Sequence, residues 1–272
     1  MRTEASGSAL TVFATTALRQ RSLMAGMVRR EIAGRYQGTS AGWLWALAQP
    51  LITLLVYTVV FGLILKVQWP QAKGTFGFAL VLFGGLMTYG FVAEVITRAP
   101  MAVAGNPNYV KKVVFPLQML VWQLVGAAVF QLLVNLVMWI GFFAALQHQV
   151  HWSWLWLPVL ALPLILFATG MGLALAAIGV FIRDLAQIVG PVMMVVLYLC
   201  PVFYSAAMVP AELGALMQWN PLAIIIEAWR AALFGQAIGW HDVGVFALWA
   251  GGVLAGGVWL FERTRPGFAD VL

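Results

Sequence analysis

The sequence predicts an all-α integral membrane protein. It has six transmembrane helices, an N-terminal amphipathic interface helix and re-entrant helices between spans five and six. Three observations carry this reading. The 272 residues are 63% hydrophobic and only 9% charged, against about 25% charged in soluble domains, and mean hydropathy is +0.93. A spanning helix needs about 20 mainly apolar residues, and six stretches qualify. Finally, with six spans, twelve of the fifteen Lys and Arg fall on one side.

Residues 1–45 precede the first span. Ala9 to Leu18 is fairly apolar, but Arg19 and Arg21 follow at once and no A-x-A-like site appears, so no cleaved signal peptide is expected. In Leu23 to Tyr36, Met24, Val28, Ile32 and Tyr36 form an i, i+4 stripe, with Arg29 and Arg30 away from it. Glu31 and Arg35 stand in the favourable order for an ion pair. Such a helix lies in the headgroups, where arginine reaches phosphates. Two roles are open to it: a juxtamembrane helix held by anionic lipid, or a cuff that meets a soluble partner or a lipid-phosphate substrate. Gly34, Gly38 and Gly42 repeat every four residues. They make either one smooth helix face or the bend into the first span; the bend is the preferred reading.

The spans are Ala46 to Leu65, which Pro50 can bend, and Phe76 to Ile96, with Glu94 near its end. Leu117 to Leu146 follows, then Trp152 to Phe181, broken by Pro158 and Pro163. Ile188 to Tyr204 and Val243 to Leu260 complete the six. Leu222 to Phe234 is too short to span and holds Glu227 and Arg230 three residues apart. It reads as a re-entrant or interfacial helix with those charges paired.

Topology follows from charge. Lys66, Lys73 and Arg230 are the three cations on one side, against twelve on the other. The positive-inside bias then puts both termini in the cytoplasm and explains the basic balance without nucleic acid. Trp152, Trp154 and Trp156 suit an interfacial belt. His148 and His151 have no third ligand nearby, so no metal is expected. The single Cys200 excludes an internal disulfide and reads as a small buried hydrophobe. In the loop Arg98 to Pro116, Asn106-Pro107 breaks the chain, Lys111 and Lys112 follow, and Phe115-Pro116 precedes span three. A short helix between these breakers would stand proud of the membrane.

Catalytic signatures are missing. There is no G-x-x-x-x-G-K-[ST], H-E-x-x-H, G-x-S-x-G or C-x-x-C. Glu94 lies near a span end and Glu227 beside Arg230, so neither ion relay nor intramembrane catalysis is supported. The chain is expected to be no enzyme, and any energy must come from another subunit.

Four ordered motifs carry a resemblance. R-x-x-x-x-R-Y-x-G-T/S-x-x-G-x-x-W-x-x-x-x-P occurs as Arg30, Arg35, Tyr36, Gly38, Gly42, Trp45 and Pro50. The Asn106 to Pro116 loop, IRDLAQIVGPVMMVVLYLCPVFYSAAMVP (Ile182 to Pro210) and NPLAIIIEAWRAALFG (Asn220 to Gly235) complete it. Together they resemble the permease subunit of type-2 ABC exporters of polysaccharide (O-antigen, capsule, teichoic acid) and look most like the O-antigen branch. The resemblance implies export of a lipid-linked polysaccharide across the bacterial inner membrane by a homodimer of permease chains. Two cytoplasmic ATP-binding subunits would drive it, holding the ATP and Mg, with no cofactor in this chain. Capsule or teichoic acid export, or a related drug or lipid exporter, is the alternative. It also implies three parts: an interface region in residues 1–45, a permease domain in 46–262 and a cytoplasmic tail in 263–272. Within these it makes Met24 to Tyr36 the interface helix and places a coupling loop in 98–116 and gate helices in 205–236. Asn106, Lys111, Lys112, Arg183 and Asp184 would face the ATPase. Tyr36, Trp43, Tyr57, Phe91, Tyr198, Phe203 and Tyr204 would stack on sugars, with Glu227 and Arg230 at the gate. Arg29, Arg30 and Arg35 would meet the lipid pyrophosphate or headgroup.

Overall fold

The computed structural model describes residues 13, 15, 16, 19–38, 42–64, 75–111, 115–204 and 220–272. All regular elements among them are helical. In chain order they are α1 (Arg21–Tyr36), α2 (Leu44–Tyr57) continuing as a π-helical stretch (Thr58–Ile64), α3 (Thr75–Arg98), α4 (Pro100–Ala104) and α5 (Pro107–Val110). There follow α6 (Gln118–Gln147), a 3₁₀ turn (Trp152–Trp156), α7 (Leu157–Phe181), α8 (Leu185–Leu199), α9 (Pro221–Leu233), α10 (Trp240–Thr264) and α11 (Phe268–Val271).

Five helical stretches are long and apolar enough to cross a membrane: Leu44–Ile64, Phe76–Arg98, Gln118–Gln147, Trp152–Phe181 and Trp240–Val271. The fifth expected span is shorter than the sequence suggested. Its helix α8 has 15 residues, about 22 Å at 1.5 Å per residue, against a hydrocarbon core about 30 Å thick. The apolar composition runs on to Tyr204, but Cys200 turns extended at ψ 147°. The residue before a proline avoids helical geometry, and Pro201 follows.

Packing rests on small residues, as it must where lipid removes the hydrophobic drive between helices. The tightest crossing joins α7 and α10: a Cβ on Gly257 would lie 2.1 Å from the Gly170 carbonyl oxygen. Gly179 likewise lets α7 pass over the Pro100 carbonyl. Trp139 Nε1 donates to the Leu80 carbonyl at 2.8 Å, tying α6 to α3, and the Tyr89 hydroxyl donates to the Met193 carbonyl, tying α3 to α8.

α9 is a core helix. Its start has the Asn-Pro form, with the Asn220 side chain accepting from the Leu222 N–H at 3.0 Å. Ser153 Oγ and Trp154 Nε1 donate to its last carbonyls, Ala232 at 2.6 Å and Leu233 at 2.9 Å. This corrects the belt reading for Trp154, whose N–H is spent inside the protein. Trp152 stays 87% exposed, and Trp156 packs edge-on against Trp240.

The bundle has two unlike ends. Phe13 stacks on Trp122, Glu31 reaches Arg98 and Gln123, Gly179 meets Pro100, and Phe268 packs on Phe181 and Phe261. These contacts gather α1, α4, the start of α6, the 181–185 turn and the C-terminal residues at one end, which is rich in arginine. Arg230, the 3₁₀ tryptophans and the α9 termini lie at the other. The C-terminal segment is no free tail: Phe268 is fully buried.

Candidate functional site

At the basic end, four charges from two helices form a closed ring. Each helix carries its own i, i+4 Glu–Arg pair: Glu31 and Arg35 on α1, Glu94 and Arg98 on α3. Arg35 Nη2 lies 2.5 Å from Glu94 Oε1, and Arg35 Nε lies 3.9 Å from Glu31 Oε1. Arg98 pairs with Glu31 and sits 3.4 Å from Glu94. Gln123 Nε2, on α6, donates to Glu31 Oε2 at 2.7 Å. With all four ionised the ring carries no net charge. Sequence reasoning found the Glu31–Arg35 pair but missed its partners on α3 and α6.

The ring docks α1 on the bundle, and sterics allow it: a Cβ on Gly126 would come 2.5 Å from a Val28 methyl. Of the predicted stripe, Ile32 is buried beneath α1 and Met24, Val28 and Tyr36 are half-buried, so protein covers part of it; Met27, outside the stripe, is buried too. The expected bend follows. Gly38 (φ +83°) and Gly42 (φ +52°) take left-handed backbone, whereas Gly34 sits inside α1 with open space around it. Burial alone would raise the Glu31 carboxyl pKa. The Arg98 and Gln123 hydrogen bonds and the Arg98 and Arg35 charges outweigh it and hold the group below its ordinary 4.5. A carboxylate held low stabilises the fold above its unfolded pKa and loses that stabilisation as pH falls through the folded one. Amide protection across 21–36, corrected for the intrinsic exchange rate, is therefore expected to stay constant through neutral pH and to fall only below 4.5. Arg35→Gln should weaken docking by about 1 kcal/mol, since part-exposed ion pairs such as those to Glu31 and Glu94 contribute ~0.2–1 kcal/mol each. Adding Glu94→Gln should restore part of it.

Above the ring, a cleft of about 850 Å³ lies between α2, α3 and α6. Arg35, Tyr36 and Glu94 form its polar mouth, and Phe91, Trp45 and Phe83 supply aromatic wall. Gln49, Gln131 and Asn135, which belong to the helices long and apolar enough to span, also line it. The Tyr36 hydroxyl donates to Gln131 Oε1 at 3.1 Å, and Gln131 Nε2 donates to Asn135 Oδ1 at 3.1 Å. Burial pushes the Tyr36 pKa up, with Arg35 pulling it down and Glu94 raising it, so the hydroxyl stays protonated. These amides escaped the sequence reading. Two amide side chains four apart in an apolar span were the available signal.

The predicted aromatics fall into two groups. Tyr36 and Trp43 meet at 5.3 Å between ring centroids near the cleft mouth, with Phe130 edge-on to Trp43. Tyr57, Phe203 and Tyr198 gather at the other end around Phe61, linking α2 to α8, and the Tyr204 hydroxyl donates to the Tyr198 carbonyl. Phe91 is buried in the cleft wall.

Arg230 is 3% exposed. It donates to Glu227 Oε1 at 2.7 Å, as the spacing predicted, and also to the Pro201 and Val202 carbonyls at 2.8 and 3.3 Å. Gly85 on α3 makes room for its guanidinium. The pair is thus a clasp between α9 and the segment after α8; the rest of the predicted gate, 205–219, lies outside the described residues.

At the basic end α4 packs down, with Pro100 and Val103 buried against α7, while α5, the short helix after the Asn106-Pro107 breaker, buries no residue. Asn106 and Lys111 at the ends of α5 are exposed, as are Arg183 and Asp184 in the 181–185 turn, and Lys112 lies outside the described residues. A cavity of about 370 Å³ opens between α1 and α5, lined by Arg30, Arg98, Asn106 and Tyr109 among others. Arg29 and Arg30 are exposed on α1. His151 packs against Phe143 and Trp154, while His148 ends α6 in left-handed backbone.

A family profile described as ABC-2 type transporter matches residues 23–234, which hold the ring, the cleft and the α9 clasp. The chain belongs to the ABC-2 type transporter family. Relatives of this ABC-2 chain match along nearly its whole length. An O-antigen export system permease protein RfbA of Klebsiella pneumoniae is 25% identical over 252 residues, covering 92% of this chain and 95% of the relative. A protein of the same name from Myxococcus xanthus is 24% identical over 259 residues, with the same coverage.

Proposed function

We propose that the chain is the permease subunit of an ABC transporter that exports a lipid-linked polysaccharide, O-antigen first, across the bacterial inner membrane. Full-length similarity to ABC-2 chains named as O-antigen export permeases carries this reading. The segregation of arginine to one end supports a cytoplasmic basic end holding both termini. Hydrolysis belongs to a separate nucleotide-binding subunit, because the chain has no phosphate-binding loop. Two permease chains with two such subunits make the working complex, and ATP and Mg sit in the partner.

In this reading Asn106, Lys111, Lys112, Arg183 and Asp184 receive the ATPase. The two aromatic groups give sugars apolar faces to stack on, and 205–236 gates the far side. Arg29 and Arg30 offer charge to a lipid phosphate; Arg35 does so only by leaving two carboxylates. The experiment is a deletion strain complemented with the chain. Surface polysaccharide should vanish on deletion, lipid-linked polymer should accumulate inside, and complementation should reverse both. Intact surface glycan with new drug sensitivity would replace this reading with drug export.

A further inference from the structure

We propose that α1 is a lid, latched by the charge ring, whose release joins the cavity at the basic end to the cleft between α2, α3 and α6. The lid rests on the export reading for the energy that lifts the helix. Two cavities meet at one side chain. Among the described residues, Arg35 is the one that lines both the cleft of about 850 Å³ and the cavity of about 370 Å³ beside Asn106 and Tyr109. Its guanidinium is part of the wall between them, and a wall carried on α1 moves with α1.

The ring has a second neutral pairing. Docked, Arg35 contacts Glu94 and Arg98 contacts Glu31, both across the junction of α1 and α3. Apart, Arg35 keeps Glu31 and Arg98 keeps Glu94, as i, i+4 pairs that already stand at 3.9 and 3.4 Å. Separation strands no charge, which is the usual obstacle to opening a partly buried ion pair. The docked latch is also imperfect. Arg35 Nε and Nη2 are buried and donate no aligned hydrogen bond, although Nη2 lies 2.5 Å from Glu94 Oε1. The rest of the grip is Arg98, whose side chain is 43% exposed, the Gln123 and Tyr36 hydrogen bonds, and Val28 seated over Gly126. That seat is a side chain on backbone, unlike the backbone-to-backbone crossing of α7 and α10. Gly38, left-handed just beyond α1, supplies a hinge.

The same seat supplies a lock. A Cβ on Gly126 lies 3.5 Å from the Val28 Cβ, within the span of a disulfide, about 3.5–4.5 Å. Val28→Cys with Gly126→Cys removes the crowding methyls and should cross-link α1 to α6 under copper phenanthroline. The test uses inside-out vesicles holding this chain, its nucleotide-binding partner, lipid-linked polysaccharide and ATP. Oxidation of the double variant should cut translocation about tenfold and reduction should restore it, while the unsubstituted chain responds to neither. Undiminished translocation by the cross-linked chain would overturn the lid. Should the double variant fail to fold, Ile32→Cys reads the same motion, because Ile32 is buried and lines neither cavity. Its thiol should react with a membrane-impermeant maleimide about tenfold faster during ATP turnover than at rest, with the buried Cys200 unlabelled throughout. Equal rates would overturn the lid. Either negative result alongside translocation by the unsubstituted chain overturns the lid alone; ATP-dependent labelling without translocation by that chain overturns the export reading alone.

Discussion

Gly257→Val should force α10 off α7 and produce the largest loss of stability of any single change in the bundle. A Cβ at Gly257 meets the Gly170 carbonyl oxygen at 2.1 Å, and one at Gly170 meets the Leu254 backbone at 2.6 Å. Backbone on both sides cannot give way as a flexible side chain would, so the whole crossing must open. Overpacking costs typically ~1–3 kcal/mol when side chains absorb it; here the cost should reach or exceed the top of that range. Because lipid supplies no hydrophobic drive to close the gap again, the lost contacts are not recovered. Thermal unfolding of the purified chain should show a large drop in Tm. Valine at Gly256, where a Cβ meets nothing within 4 Å, should leave Tm almost unchanged.

The second large effect is expected at Arg230. Methionine there keeps most of the apolar volume but leaves the Pro201 and Val202 carbonyls without their donor. An unsatisfied buried acceptor costs ~1–3 kcal/mol, so the pair predicts a loss of about 3 kcal/mol. Glu227, whose side chain is 42% exposed, turns outward and adds little. Arg230→Lys should recover only part, because a point ammonium cannot replace a planar fork that reaches two carbonyls and a carboxylate together. The damage should concentrate where α8 ends, and hydrogen exchange over 199–204 should rise more than over α10.

Helix existence was legible because spanning segments must be long and apolar, and the start of α9 was legible at Asn220-Pro221; of the two expected breaks in span four, Pro158 sits in the first turn of α7 and Pro163 leaves the helix unbroken. The early end of α8 was written in Cys200-Pro201 but hidden by apolar composition that continues past it. The charge ring was illegible for another reason. Glu31–Arg35 and Glu94–Arg98 each look locally satisfied as i, i+4 pairs, while the two contacts that join them, Arg35–Glu94 and Arg98–Glu31, link residues far apart in the sequence. The Trp154 misreading came from placing an i, i+2 triplet on an α-helix, when a 3₁₀ turn aims its middle member at α9. Tyr36, expected from the resemblance to stack on sugars, lines the cleft, whereas Gln131 and Asn135, which its hydroxyl joins, carry no motif.

The central claim is that this chain supplies the path and a separate subunit supplies the energy. Inside-out membrane vesicles charged with lipid-linked polysaccharide test it most directly. ATP should move the polymer into the lumen only when this chain and its nucleotide-binding partner are both present, and the chain purified alone should hydrolyse no ATP. Polymer translocation that proceeds without this chain, or ATP hydrolysis by the chain alone, would contradict the account.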